Sequence, residues 1–332
     1  MDHDVMRSRF CSSARERLNM INGAGSPRGS AALSRHVGSL TDDAAPSSAR
    51  FPDGAHFRIE IPSVENPDAL RAVVDEARQR KVPIHRASQG SGAMLLSKDD
   101  LATMAQIGAD EGIEVNLFVG PREEFGVGGA VRSPDGLLLS GRLRGFHQLR
   151  YAIEDIQRAV DAGIRGFLIA DTGLMEILGS MVSAGELPSN IVWKISAVLA
   201  PSNPVTFRQL VALGGTTVNV PSDITLAELA EIRALSDAPI DLYLESPDAM
   251  GGVVRGHELG EIAAVAAPLY AKFGLRNARP VYPAGQHLRD DVVGNVREKV
   301  RRAQIALEWL DLSSLDLTIS KPGAEGIGVP EP

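Results

Sequence analysis

The 332 residues carry a formal net charge of -8 and are 44 % hydrophobic, enough apolar material for one barrel-sized domain or two ordinary ones. No long Lys/Arg run offsets the acidic balance, which argues against a general nucleic-acid binder, and the lone cysteine, Cys11, excludes an internal disulfide framework and a multi-cysteine metal or iron–sulfur site. No apolar run reaches the roughly 18 residues of a membrane span, and Met1 to Arg50 lacks the apolar centre of a secretory signal, so the expectation is a cytoplasmic protein with neither membrane nor nucleic-acid partner.

Residues 1–53 are built from Ser, Ala, Gly, Arg and Pro with little periodic apolar character, and are expected to form a disordered extension, because such a segment cannot repay the entropy of ordering. A β-rich run, a polar loop and an amphipathic helix then recur with a period of roughly 25–30 residues. The runs begin near Phe57 (FRIEIP), Val82 (VPIHRAS), Ile113 (IEVNLFV), Gly166 (GFLIAD), Ile191 (IVWKIS), Thr216 (TTVNVP), Ile240 (IDLYLE) and Leu269 (LYAKFG). Helix starts are marked by Asn66-Pro67, by Ser97 before Asp99 and Asp100, and by Thr225 with Glu228 at capping-box spacing. Eight βα units with parallel strands predict an α/β fold, a (β/α)8 barrel over residues 54–314, with a doubly wound open sheet as the alternative. A ninth β-like run, Leu137 to Leu143, follows a Gly-rich stretch and reads as part of a long insertion after the third strand, either a flap over the site or a surface hairpin. Residues 315–332 read as a short C-terminal tail.

The chemistry-bearing residues fall near the C-terminal ends of the runs, where a barrel builds its functional mouth. Alternation places Asp241, Tyr243 and Glu245 on one face of the seventh run. Lys194 and Lys272 invite lysine chemistry, since a desolvated amine can attack a carbonyl to form a Schiff base; otherwise they are fixed cations paired with Glu245 or Asp171 or binding an anionic substrate, and Glu245 or Asp171 would serve as general base. Glu60, Asp171 and Glu245 could instead hold a divalent metal, with His85, His257 and His287 as further ligands. The loop Ala87–Gly92, with Arg86 at its edge and Ser88 and Gln89 within it, suits an anion, and Asn219, Arg255 and Arg276 would help to bind a small anionic substrate. No GxSxG, GxxxxGK[ST] or GxGxxG fingerprint is present, which argues against an esterase, a nucleotide hydrolase or an NAD enzyme.

Leu168-Ile-Ala-Asp171-Thr-Gly-Leu174, Lys194-Ile-Ser196 with Asn203, Leu210 to Gly214, and Val220-Pro-Ser-Asp-Ile-Thr-Leu226 with Ile232 resemble the core of the peptidase U32 family, the collagenase-like peptidases. The resemblance covers Gly166 to Asp237 and implies a TIM-type barrel and a hydrolase acting on peptide-like bonds. Many members carry clustered cysteines after the strand matching Ile240–Glu245, whereas this chain has Glu245-Ser-Pro-Asp there, so an iron–sulfur cluster is not carried over. Three readings stay open: a U32-like hydrolase, a lysine-dependent lyase, aldolase or isomerase of a small oxo acid or sugar-like substrate, and a ligand-binding barrel without turnover. A homo-oligomer is compatible with each.

Overall fold

Eight parallel strands pair in sequence order and close on themselves: β1 (Phe57–Pro62), β2 (Arg86–Gln89), β3 (Glu114–Phe118), β4 (Gly166–Ile169), β5 (Val192–Ile195), β6 (Thr217–Asn219), β7 (Ile240–Glu245) and β8 (Leu269–Phe273), with β8 hydrogen-bonded back to β1. The structure, a computed structural model, describes residues 35–36, 44–134, 136–313 and 315–332. The helices between strands are α1 (Pro67–Arg80), α2 (Lys98–Glu111), α3 (Gly145–Asp161), α4 (Thr172–Ser183), α5 (Pro204–Ala212), α6 (Leu226–Leu235) and α7 (Leu259–Ala266), and α8 (Arg289–Asp311) follows β8. This is the expected (β/α)8 barrel. Among the described residues no helix is long and apolar enough to cross a membrane.

The local signals act as the sequence dictates. Asn66 accepts from Ala69 N at 2.9 Å ahead of Pro67, which needs no hydrogen-bond partner for its ring nitrogen. Ser97 with Asp100 and Thr225 with Glu228 form reciprocal capping boxes. Outward side chains of the strands, among them Ile59, Val115, Phe167, Ile195, Val218, Leu242 and Ala271, are sealed by the helices into the main apolar core.

Three expectations are corrected. The second strand begins at Arg86 rather than Val82, because Pro83 has no N–H to give a ladder. The run Leu137 to Leu143 is no strand: Gly136–Leu139 is a 3-10 turn within an insertion between β3 and α3, and a closed barrel has no free edge for a ninth strand. Both terminal stretches of the barrel unit also pack against it. Ser47 N donates to Ala264 O at 2.8 Å and Ser47 Oγ to Ala267 O at 2.6 Å, and Phe51 is buried edge-on to Tyr270. The extension expected to be disordered therefore cannot run to residue 53; its residues 1–34 and 37–43 lie outside the described residues.

Residues 315–332 are likewise no loose tail. Ile319 pairs in parallel with Phe57, Gly323 N donates to Gly112 O at 2.8 Å, Gly328 N to Glu114 Oε2 at 3.3 Å, and Glu331 N to Gly163 O at 2.8 Å. The segment is a strap across the N-terminal end of the barrel, from β1 to the start of β4. Buried His85 anchors it, with Nδ1 accepting from Ile59 N at 2.9 Å and Nε2 meeting Ser320 O at 2.8 Å.

Candidate active site in the barrel interior

With apolar residues turned outward, alternation sends the polar ones in: Arg58 and Glu60, Arg86 and Ser88, Glu114 and Asn116, Lys194, Thr217 and Asn219, Asp241 and Tyr243, Tyr270 and Lys272. The interior is thus an ionic network in place of the usual layers of branched aliphatic side chains. Arg58 belongs to its floor, bonded to Ser320 Oγ at 2.9 Å, Tyr270 Oη at 3.1 Å and Glu325 O at 2.7 Å.

Glu60 is the hub. Its Oε1 accepts from Lys194 Nζ and, at 2.8 Å, from Ser88 Oγ, with Lys272 Nζ 3.8 Å away; its Oε2 faces Arg86 Nη1 at 3.3 Å. Arg86 also donates to Glu114 Oε1 and Asp241 Oδ1, each at 2.7 Å, and its guanidinium stacks 3.6 Å from the Tyr270 ring centroid. Lys272 donates to Asn219 Oδ1 and lies 3.9 Å from the Tyr243 ring centroid, a cation–π contact. Arg86, Lys194 and Lys272 balance Glu60, Glu114 and Asp241 in formal charge.

Burial sets the electrostatics. Lys194 is 0 % exposed, and loss of hydration, opposed by Glu60 and aided by Lys272, brings its pKa down to about 8. Lys272 is lowered in the same way. Burial pushes the Glu60 carboxyl upward, but Lys194, Lys272 and Arg86 together outweigh it and hold Glu60 at about 2. Leu168, paired in register with Lys194, and Tyr243, paired with Lys272, are half-buried, whereas Lys194 and Lys272 themselves are buried. Arg86 Nη2, Asn116 Oδ1 and Asp241 Oδ2 have no protein partner. Each orphan costs about 1–3 kcal/mol, so the network is not arranged for stability alone.

The structure gathers Glu60, Arg86, Ser88, Lys194, Asn219 and Lys272, and disperses the other candidates. A register shift between Tyr243 and Glu245 breaks the alternation of β7: Glu245, 4 % exposed, pairs with Phe273 and turns out of the barrel toward α8, where Arg302 Nε lies 3.5 Å away and Arg276 N donates at 3.0 Å. Asp171 is the N-cap of α4, accepting from Leu174 N and from Leu143 N, both at 3.0 Å. Glu60, Asp171 and Glu245 therefore occupy three separate places and cannot share a metal ion, and among the described residues no cluster of His, Cys, Asp or Glu is gathered for one. His85 lies at the floor, and His257 is outside the barrel beside Trp309.

The anion-binding expectation for the second loop is also revised. Arg86 is mid-barrel, not at the loop edge; Gln89 closes the loop on Gly92; and Gly90 N and Ser91 N donate to Glu65 at 2.9 and 3.0 Å, so the chain's own carboxylate fills the nest. Arg255 holds the β6–α6 turn through Ile224 O at 2.7 Å. Arg276, with its side chain 59 % exposed, stands at the rim beside Asp248. Sequence reasoning missed Arg58, Glu114 and Asn116. The signal for them was present: polar residues alternating with apolar ones in strands whose outer face helices must cover.

No family model and no curated protein sequence matches the chain. Among solved structures, a U32 peptidase is similar at 18 % identity over 58 % of this chain and 70 % of that one, with a TM-score of 0.38. A thiamine phosphate pyrophosphorylase from Pyrococcus furiosus is similar at 11 % identity over 77 % and 98 %, TM-score 0.43. The homocysteine methyltransferase of Escherichia coli is similar at 13 % identity over 75 % and 97 %, TM-score 0.44. Similarity at these values assigns no activity to the chain.

Proposed function

We propose that the barrel is an enzyme that acts on a small anionic carbonyl compound through Lys194, a lyase, aldolase or isomerase in reaction class. The observation that carries this reading is the pair of buried amines, Lys194 and Lys272, sharing Glu60 Oε1 inside the barrel. Near pH 8 a substantial fraction of Lys194 is neutral and nucleophilic. Its nitrogen adds to the carbonyl carbon, the carbonyl oxygen leaves as water, and an imine remains. Lys272 is held by Asn219 and the Tyr243 ring, and while protonated its charge helps to strip the proton from Lys194. Glu60, a very weak base at about 2, orients both amines rather than relaying protons. Arg276 at the rim draws in the anion.

The motif resembling the U32 peptidases supports a second reading, hydrolysis of peptide-like bonds. Its most distinctive residue, Asp171, has both carboxylate oxygens engaged in backbone capping, and Glu60, surrounded by three cations, is a poor host for a divalent ion that would activate water. The residues favour the amine.

Borohydride reduction in the presence of pyruvate, glyceraldehyde and their phosphorylated relatives tests the proposal. A mass increment on the peptide containing Lys194, lost in Lys194→Met, is expected; no adduct on either lysine at pH 8 with any of these compounds refutes it.

A further inference from the structure

We infer that the loop joining β8 to α8, residues 274–288, is a gate that must lift before any reagent reaches Lys194 and Lys272. The inference rests on the lysine pair being the site, but its test does not depend on any reaction there.

Lys194 and Lys272 are 0 % and 3 % exposed, so neither amine meets solvent in this closed arrangement. From β8 the loop runs over the ends of β1 and β2 instead of turning straight down into α8. Tyr282 Oη and Ser63 Oγ lie 2.6 Å apart, Ala284 N donates to Ser91 Oγ at 2.7 Å, and Val281 is buried. A Cβ at Gly90 would lie 2.5 Å from the Tyr282 ring, so the ring rests on the bare backbone of the second loop.

The other cover, the insertion between β3 and α3, is fastened by charge. Glu123 pairs with Arg142, Asp171 holds Leu143 N, Asp155 accepts from Gly120 N at 3.2 Å, and Arg122 donates to Gly90 O at 2.7 Å. The far end of the 274–288 loop is fastened to the second loop and to Ser63 after β1 by two neutral hydrogen bonds and one ring contact. The loop's ion pairs, Arg276 with Asp248 and Arg279 with Asp291, reach the β7–α7 loop and α8 instead. Its hinge side is fixed, with Gly274 N on Glu245 O at 2.7 Å and Arg276 N on Glu245 Oε1. The outward turn of Glu245 therefore has a role: it pins the base about which the loop moves. Asn277, at φ 57°, takes the left-handed conformation where the loop departs.

Ser91 and Ala284 are close enough for an engineered lock. In a Cys11→Ser background, Ser91→Cys with Ala284→Cys is oxidised and mapped to confirm the bridge, then labelled with formaldehyde and cyanoborohydride, exposed Lys98 and Lys321 serving as internal standards. Labelling of Lys194 and Lys272, relative to the standards, is expected to be at least tenfold slower in the oxidised than in the reduced protein, and faster than wild type in Tyr282→Ala. Equal rates in the oxidised and reduced forms overturn the gate. A working gate with no carbonyl adduct in the wild type refutes the proposed activity and leaves the gate standing.

Discussion

Replacing Glu60 by Gln keeps the shape of the hub and removes its charge. The loss can be reckoned in two ways. Glu60 is held near 2 against an ordinary 4.5, a difference of about 2.5 units and hence about 3 kcal/mol of stability at neutral pH. Removing one member of a buried ion pair generally costs about 3–5 kcal/mol. Against a total of about 5–15 kcal/mol for a folded domain, this is a large fraction. The sign with pH follows from Lys194. Without Glu60 its pKa falls below about 8, so between the two values the variant's folded state binds fewer protons than the wild type's, and the variant gains stability relative to it as pH rises. Urea unfolding followed by circular dichroism should show a deficit of about 3–5 kcal/mol at pH 6 that shrinks by pH 9. Adding Lys194→Met should restore part of it, since the orphaned ammonium is then gone. A deficit under about 1 kcal/mol, or one independent of pH, would mean that Glu60 is not the counter-ion of the buried amines.

Lys272→Met should leave adduct formation at Lys194 intact but move its pH midpoint above about 8, because the neighbouring cation that lowers Lys194 is removed; a midpoint that stays put or falls counts against the role given to Lys272. Burial holds His85 at about 4 against 6.5, so its folded form resists protonation, and up to about 3 kcal/mol should be lost as pH falls from 6.5 through 4. Unfolding at pH 7, 5 and 4 should show that slope, flattened in His85→Gln. Asp171→Ala should cost about 1–2 kcal/mol through the lost α4 cap, read as a lower midpoint in thermal melts, while carbonyl trapping proceeds at the wild-type rate. Loss of trapping in a folded Asp171→Ala protein would return that residue to the chemistry.

Much of the architecture was legible because local signals and global topology agree. Asn66-Pro67, the Ser97 and Thr225 caps, and the strand runs at Phe57, Gly166 and Leu269 each state the same βα repeat. The site was only half legible. Lys194, Lys272, Glu60 and Asn219 stood out as charged or amide groups in strand-like runs, and strict alternation carried them to one another. Alternation failed at Glu245, where one irregular step turns the side chain to the other face, and nothing in Tyr243-Leu-Glu announces it. Asp171 misled for a different reason: an acidic residue after a strand serves a cap as readily as a reaction, and the hydrogen bond to Leu143 depends on an insertion whose path the sequence does not dictate. The strap escaped notice because the bonds at Gly323, Gly328 and Glu331 are made by its own backbone N–H groups, which leave no side-chain pattern in residues 315–332.

The seam between β1 and β8 bears on how the chain reaches this state. Arg58 and Tyr270, bonded across it, stand 212 positions apart, and Ile319 then adds a second parallel partner at Phe57. Until β8 arrives, β1 keeps an open edge rich in Phe and Ile, a template for pairing with other chains during synthesis. Closing the seam also has to expel water from three cations and three carboxylates at once, while Lys272 itself arrives on the last strand. The slow step of folding should therefore be ring closure, and salt or pH changes that ease dehydration of the interior should act on the folding rate more than on the early collapse of the helices.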